Sequence, residues 1–211
     1  MNEFVSAVTQ KHIGSTIEAL RKNRFDAEYV ESPAGLIARL EKMIPAGSSC
    51  SIGGSVTLAQ TGVRQWLEER RDITYLDRYA KDADEVQVMR EALTCDVYLT
   101  STNALTKAGQ LYNVDGRANR VASICFGPKK VIVVAGYNKI VEDLDAARTR
   151  LKNFAEPPNA LRLKKKVPCA ETGTCGNCMS DDRMCSQELI TGWQAFPGRI
   201  TVFIMGGEYG F

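Results

Sequence analysis

Four cysteines near the C-terminal end constrain this chain more than any other feature. Cys169, Cys175, Cys178 and Cys185 are spaced C-x5-C-x2-C-x6-C within PCAETGTCGNCMSDDRMC. That segment has almost no apolar content, so it has no core of its own to fold around. Four thiolates converging on one centre would hold it, and the donor set suits a tetrahedral zinc or an iron–sulfur cluster. The inner pair can reach one centre from a tight turn, with Gly176 supplying backbone freedom. The outer two lie within ten residues on either side, so closing the loops costs little chain entropy. Zinc in compact folds more often takes two C-x2-C knuckles placed far apart. One knuckle with two single cysteines suits the larger iron–sulfur core better, although the spacing matches no common ferredoxin run. A 4Fe–4S cluster is therefore the expected cofactor, with a purely stabilising zinc as the alternative and residues 162–190 as the metal-binding segment. Arg162, Lys164, Lys165, Lys166 and Arg183 either offset the negative charge of such a site or form an ordinary solvated basic stretch.

Disulfides are the third use for these thiols, and the rest of the chain argues against them. The N-terminus MNEFVSAVTQKHIG has no basic start followed by an apolar run, so a secretory signal is not expected. The longest apolar stretch, Val131 to Ala135, is far too short to span a bilayer. The expected setting is cytoplasmic, where structural disulfides are rare. With 27 basic and 25 acidic side chains the net charge is only +2, which gives no general field for nucleic acid or membrane. At 211 residues, 44% of them hydrophobic, the chain can bury a substantial core as a single domain over 1–211. Cys50, Cys95 and Cys125 sit in or beside apolar strand contexts and read as buried small hydrophobes.

Helix and strand signals alternate along most of the length. Phe4, Val5, Val8, Ile13, Ile17 and Leu20 recur at helical spacing and predict an amphipathic helix over 3–23. A strand FDAEYV follows, and Ser32-Pro33 forms an N-cap and first-turn pair that opens a second helix. SSCSIG is strand-like, and Gly53-Gly54-Ser55 leads into a helix through Val63, Trp66 and Leu67. ITYLD, DVYLTS and KVIVVAG are further strands, the last a continuous apolar run expected of a strand covered on both faces. DADEVQVMREALT is a helix whose Asp82, Asp84 and Glu85 are first-turn charges. A helix over 142–154 should end before Pro157-Pro158, and the chain should close with a helix-like stretch and the strand RITVFIMG. This rhythm predicts an α/β fold with a mainly parallel open sheet and helices on both faces. Residues 104–127 depart from it and should hold a hairpin or irregular excursion.

Two segments carry ligand-binding chemistry. In SIGGSVTL, Gly53 and Gly54 stand between a strand and a helix, where backbone N–H groups favour phosphate or carboxylate and the hydroxyls of Ser55 and Thr57 can add donors. The bland alternative is a tight turn with Ser55 as a cap. In TSTNALTKAGQLYNVDGRANRVA, Asn103, Lys107, Asn113, Asp115, Arg117, Asn119 and Arg120 crowd a stretch poor in apolar residues. Polar groups past a strand's carboxyl end are where open α/β sheets bind ligands, although Asp115-Gly116 is equally good turn chemistry. The lone histidine, His12, lies in the first helix as a surface residue, so no Ser-His-Asp set can be built.

SIGGSVTL, DVYLTSTNALTKAGQLYNVDGRANRVA, GPKKVIVVAGYNKIVEDLDAARTR and PCAETGTCGNC with its following cysteine, taken in order over residues 5–211, resemble the LUD-domain family of lactate utilisation proteins. NKIVEDLDAA is the most specific of these stretches. The resemblance implies a fold like the ribose-phosphate isomerase, glucosamine-phosphate deaminase and CoA-transferase superfamily, with the anion site at Gly53, Gly54 and Ser55. The Asn113–Asp115 stretch is similar to the N-x-x-G loop of the sugar-phosphate isomerases. No glutamate stands in a CoA-transferase nucleophile context. The resemblance also implies a part in oxidising lactate to pyruvate alongside iron–sulfur partner proteins, and it leaves a homodimer open. On this reading a small anionic 2-hydroxy or 2-oxo acid lies over Gly53–Thr57 and Asn103–Arg120, with Lys107, Arg117 or Arg120 on its carboxylate. The rivals are a sugar-phosphate isomerase or lyase with Asp115 as base and a structural zinc, and a non-catalytic assembly subunit.

Overall fold

A computed structural model describes residues 2–211. The chain begins with α1 (Glu3–Lys22), β1 (Asp26–Val30), α2 (Pro33–Met43), β2 (Ser49–Ile52), α3 (Val56–Gln60), α4 (Val63–Glu69), β3 (Thr74–Leu76) and α5 (Glu85–Glu91). It continues through β4 (Val97–Thr100), β5 (Ala104–Thr106), β6 (Leu111–Asp115), α6 (Asn119–Cys125), β7 (Lys130–Gly136) and β8 (Ile140–Val141). It closes with α7 (Leu144–Arg150), α8 (Glu156–Arg162), α9 (Pro168–Thr172), β9 (Gln187–Thr191) and β10 (Ile200–Met205).

Six strands form one sheet in the order β1-β10-β7-β4-β2-β3, and every neighbouring pair is parallel. β7 and β10 are central and almost wholly buried because both faces are covered. Leu36, Leu40, Leu58, Val63 and Leu67 of α2, α3 and α4 pack on one face, against Ile132, Val134 and Phe203. Ile13, Ile17 and Leu20 of α1 cover the other, against Val131, Val133, Val202 and Ile204. Each such side chain contributes about 1.5–3 kcal/mol on burial, which is why β-branched runs without polar alternation occupy these strands.

A smaller sheet, β8-β5-β6-β9, was not foreseen. Its core is the β5–β6 hairpin, the excursion expected over 104–127, and Leu105 and Leu111 join the α1-side core. Gly109 makes the hairpin turn at φ +77°, and a side chain there would run into the backbone of Ala19 and Leu20. Asn23 Nδ2 donates to the carbonyls of Ala108 and Gly109, both at 2.9 Å, so the turn is fastened to the end of α1.

Several local expectations are corrected. The helix expected after Gly54 is two helices, broken where Gly62 takes φ +74°. Pro157 and Pro158 do not stop a helix. They stand in the first turn of α8, where a missing N–H costs nothing, and α7 runs into α8 through the π-wound turn Leu151–Ala155. The stretch expected to be helical after the cysteines is β9, which pairs antiparallel with β6. Cys50 and Cys95 are buried but Cys125, at the end of α6, is exposed. Phe4, Val5 and Val8 are also exposed, so only the second half of α1 packs on the sheet. His12 is exposed as expected.

Gly109→Ala should cost about 2–3 kcal/mol in urea unfolding, from left-handed strain and overpacking together. An unchanged midpoint would show that the hairpin turn is free to move away from α1.

Candidate functional site

β2 has β3 on one flank and β4 on the other. The chain leaves β2 for β3 in one direction and returns through α5 to β4 on the opposite side, so the winding reverses at β2. A crevice is expected at the carboxyl ends of strands around such a reversal. There the structure opens a cleft of about 640 Å³, within the usual range for small-ligand sites. Gly54, Ser55 and Thr57 reach it from the end of β2, Thr100 to Asn103 from β4, and Lys139 from the turn after β7.

Eight of the eleven residues singled out in the sequence line this cleft: Gly54, Ser55, Thr57, Asn103, Asp115, Arg117, Asn119 and Arg120. Gly53 lies beneath it, its N–H donating to the Leu99 carbonyl at 2.9 Å. Lys107 stands at the end of β5, with Nζ 2.5 Å from Glu142, outside the lining. Asn113 is wholly buried on β6 and is likewise outside the lining.

Hydrogen bonds assign duties to those that remain. Ser55 Oγ accepts from Leu58 N at 3.2 Å and so caps α3. Asp115 accepts from Arg120 Nε at 2.7 Å and from Val121 N at 3.0 Å. Arg120 Nη2 also donates to Asn103 Oδ1 at 2.9 Å and to the Val114 carbonyl at 2.6 Å. Asn103, Asp115 and Arg120 thus form one knot that fixes the wall, and Arg120 has Nη1 left for a ligand. Arg117 pairs with Glu85 at 2.9 Å.

Three lining residues escaped the sequence reading. Arg78, past the end of β3, hangs over Gly54 and donates to Tyr79 Oη at 2.6 Å, while its buried Nε has no partner. Glu156 opens α8 and is 5% exposed. Burial pushes its carboxyl up to about 6, with Arg120 opposing that rise and Asp115 adding to it. Lys139 is also 5% exposed. Burial lowers its ammonium to about 7, and the cationic Arg150 and Arg120 push the same way. The signal for Lys139 was its place at the carboxyl end of a central strand. Glu156 was hidden by the reading of Pro157-Pro158 as a stop.

The four cysteines of the tail line one small cavity together with Glu156, Val167, Gly176, Arg183 and Met184. Cys169 sits on α9 and packs with Ala160 and Val167. Arg183 Nη1 donates to the Cys178 carbonyl at 2.9 Å and Nε to the Cys185 carbonyl at 3.0 Å, which fixes the loop from inside. Asp182 accepts from Lys166 N at 3.0 Å and from Lys165 Nζ at 3.3 Å, tying the loop to the basic stretch. Burial raises the Cys169 thiol first, and Cys175, Glu156, Cys178 and Cys185 raise it further, so these groups feel one another. Among the described residues no set of three or more His, Cys, Asp or Glu side chains is drawn in tightly enough to hold an ion as it stands.

Two outcomes test this geometry. Arg120→Ala would strand the nearly buried Asp115 and should cost about 3 kcal/mol in denaturant unfolding; a cost under 1 kcal/mol would show that the knot is slack. Lys139 gives a pH signature. Between pH 7 and 10.5 only the unfolded chain keeps the proton on this lysine, so its contribution to stability rises with pH there. Wild type should therefore gain about 3 kcal/mol on Lys139→Met between pH 7 and 9.5. A constant difference across that window would mean an ordinary, solvated ammonium.

The LUD domain profile matches residues 13–205. No match was found among curated proteins. Among solved structures the fold is similar to the crystal structure of a DUF162 family protein from Deinococcus radiodurans, with a TM-score of 0.52 at 15% identity. The alignment covers 95% of this chain and 98% of that one, which supports the architecture alone at such low identity. With the profile spanning nearly the whole length, both sheets included, the chain belongs to the LUD domain family.

Proposed function

We propose that the cleft binds a small 2-hydroxy or 2-oxo acid anion and that the cysteine cavity holds a 4Fe–4S cluster, in the lactate oxidation that the family's name carries. One observation supports joining the two: Glu156, Arg183 and Met184 line both the cleft and the cysteine cavity. The two spaces therefore share a wall of three side chains. The donor chemistry suits such a group, being four free thiols that line one small cavity. The same four thiols are also a complete tetrahedral set for a lone zinc, and the metal content decides between the two. When bound, such a cluster supplies a one-electron redox centre, and iron–sulfur partner proteins would connect it onward.

The chain's own residues bind and orient. Arg120 Nη1 offers its N–H groups to a carboxylate, and the Arg78 guanidinium over Gly54 adds a second cation to the same cleft. Lys139, neutral for part of the time near pH 7, can take a proton from a substrate hydroxyl. Glu156, with its raised carboxyl, can hold a proton at the boundary between cleft and cavity. The alternative of a sugar-phosphate isomerase using Asp115 as base is less well supported, because both carboxylate oxygens already accept hydrogen bonds from Arg120 and Val121.

Protein purified without oxygen should carry iron and acid-labile sulfide, with visible absorbance that bleaches on reduction. Lactate or pyruvate should perturb the spectrum of the reduced cluster, and Cys175→Ser should lose the iron. One equivalent of zinc without iron would overturn the cluster. A spectrum indifferent to both acids would separate the cluster from the cleft and favour an assembly role.

A further inference from the structure

Lys139 has a setting that binding alone does not require. Its Nζ donates to Ser101 Oγ and to the Thr102 carbonyl, both at 3.1 Å. Ser101 Oγ in turn donates to Thr57 Oγ1 at 3.3 Å, and Thr57 Oγ1 donates to the Tyr209 carbonyl at 3.2 Å. With the Ser101 proton turned to Thr57 or to the Thr102 carbonyl, its oxygen accepts from Lys139, and the Thr102 carbonyl can only accept, so Lys139 donates at both contacts. In the neutral amine those two donations use both protons and leave the lone pair free. The charged groups facing it are Arg120 from α6 and Arg150 from α7, both cationic, and no carboxylate pairs with it. Among the described residues it is a buried lysine of the cleft wall held without a counter-ion. Cationic neighbours draw an anion into the cleft, and together with burial and the absence of a counter-ion they also keep this amine neutral, as a nucleophilic lysine requires.

We propose that Lys139 Nζ forms a covalent imine with the carbonyl carbon of a small 2-oxo acid held in the cleft. The inference rests on the cleft reading above and deepens it by naming the reacting atom and the substrate class. The nitrogen lone pair forms the N–C bond as the carbonyl π pair moves onto oxygen. The two amine protons and that oxygen then leave as water, and the resulting C=N nitrogen takes up one proton to become an iminium. No oxidant, reductant or metal is consumed. Arg120 Nη1, on the same wall, is placed to receive the acid's carboxylate, and the iminium is the electron-poor centre through which such a lysine labilises bonds at the adjacent carbons.

The test is reductive trapping at pH 7 with pyruvate and sodium cyanoborohydride on the anaerobically purified protein, read by intact mass and peptide mapping. A surface lysine of ordinary pKa near 10.4 is neutral in only about one molecule in a few thousand at this pH, so Lys139 should label on the order of a thousandfold faster. Labelling should saturate with pyruvate, should be competed by lactate, and should vanish in folded Lys139→Arg and Lys139→Met variants. Calorimetric titration with pyruvate runs alongside. If pyruvate binds and no adduct forms on Lys139, the imine is wrong and the cleft reading stands. If label spreads evenly over the lysines, or pyruvate neither binds nor labels, the imine is overturned, and in the second case the 2-oxo acid reading falls with it.

Discussion

Parallel pairing is the constraint on which the rest depends. When every strand of a sheet runs the same way, all carboxyl ends fall along one edge, and every loop that leaves them starts from the same side. β2, β4 and β7 therefore deliver Gly54, Ser101 and Lys139 to one place although these residues are 85 positions apart at the extremes. The cost of that arrangement is that both faces need cover, and the two apolar cores on either side of β7 and β10 supply it. Lys139 and Glu156 do not stabilise the fold by themselves: a lysine without a counter-ion and a carboxyl away from water are tolerated because the sheet beneath them is buried deeply enough to hold its edge still.

The second sheet completes what the first begins. β6 carries Asp115 at its end, and the knot with Arg120 and Asn103 turns that strand into a wall rather than a loose flap. β6 also takes β9 as its outer neighbour, so the segment leaving the cysteine cavity is hydrogen-bonded to the segment that frames the cleft. Two regions that look independent along the chain are therefore built on a common strand.

The parallel architecture was legible because its signal is redundant. A run such as KVIVVAG has one reading, and Ser32-Pro33 or Asp84 mark helix starts through local hydrogen bonds that need no distant partner. The hydroxyls and guanidinium groups around the cleft were also visible, since polar residues after strands stand out from their surroundings. What the sequence concealed depends on tertiary context. Lys139 reads as an ordinary surface lysine until Ser101 and Thr102 are brought beneath it from a strand that is distant in sequence. Lys107, equally prominent on paper, is claimed by Glu142 across the second sheet. Pro157-Pro158 has two physical meanings, a stop or a first turn, and the choice was made by the helix that leads into it. β9 lies too close to the cysteines, and is too polar, for its period to show.

Because Ser186 N donates to the Asp115 carbonyl at 2.9 Å, the residue directly after the last cysteine of the cavity is bonded to the carboxylate-bearing residue of the knot. Whatever grips the four thiols thus also grips the wall of the cleft. A rearrangement of the cysteine loop would therefore pull on the strand end that carries Asp115, with no moving domain required.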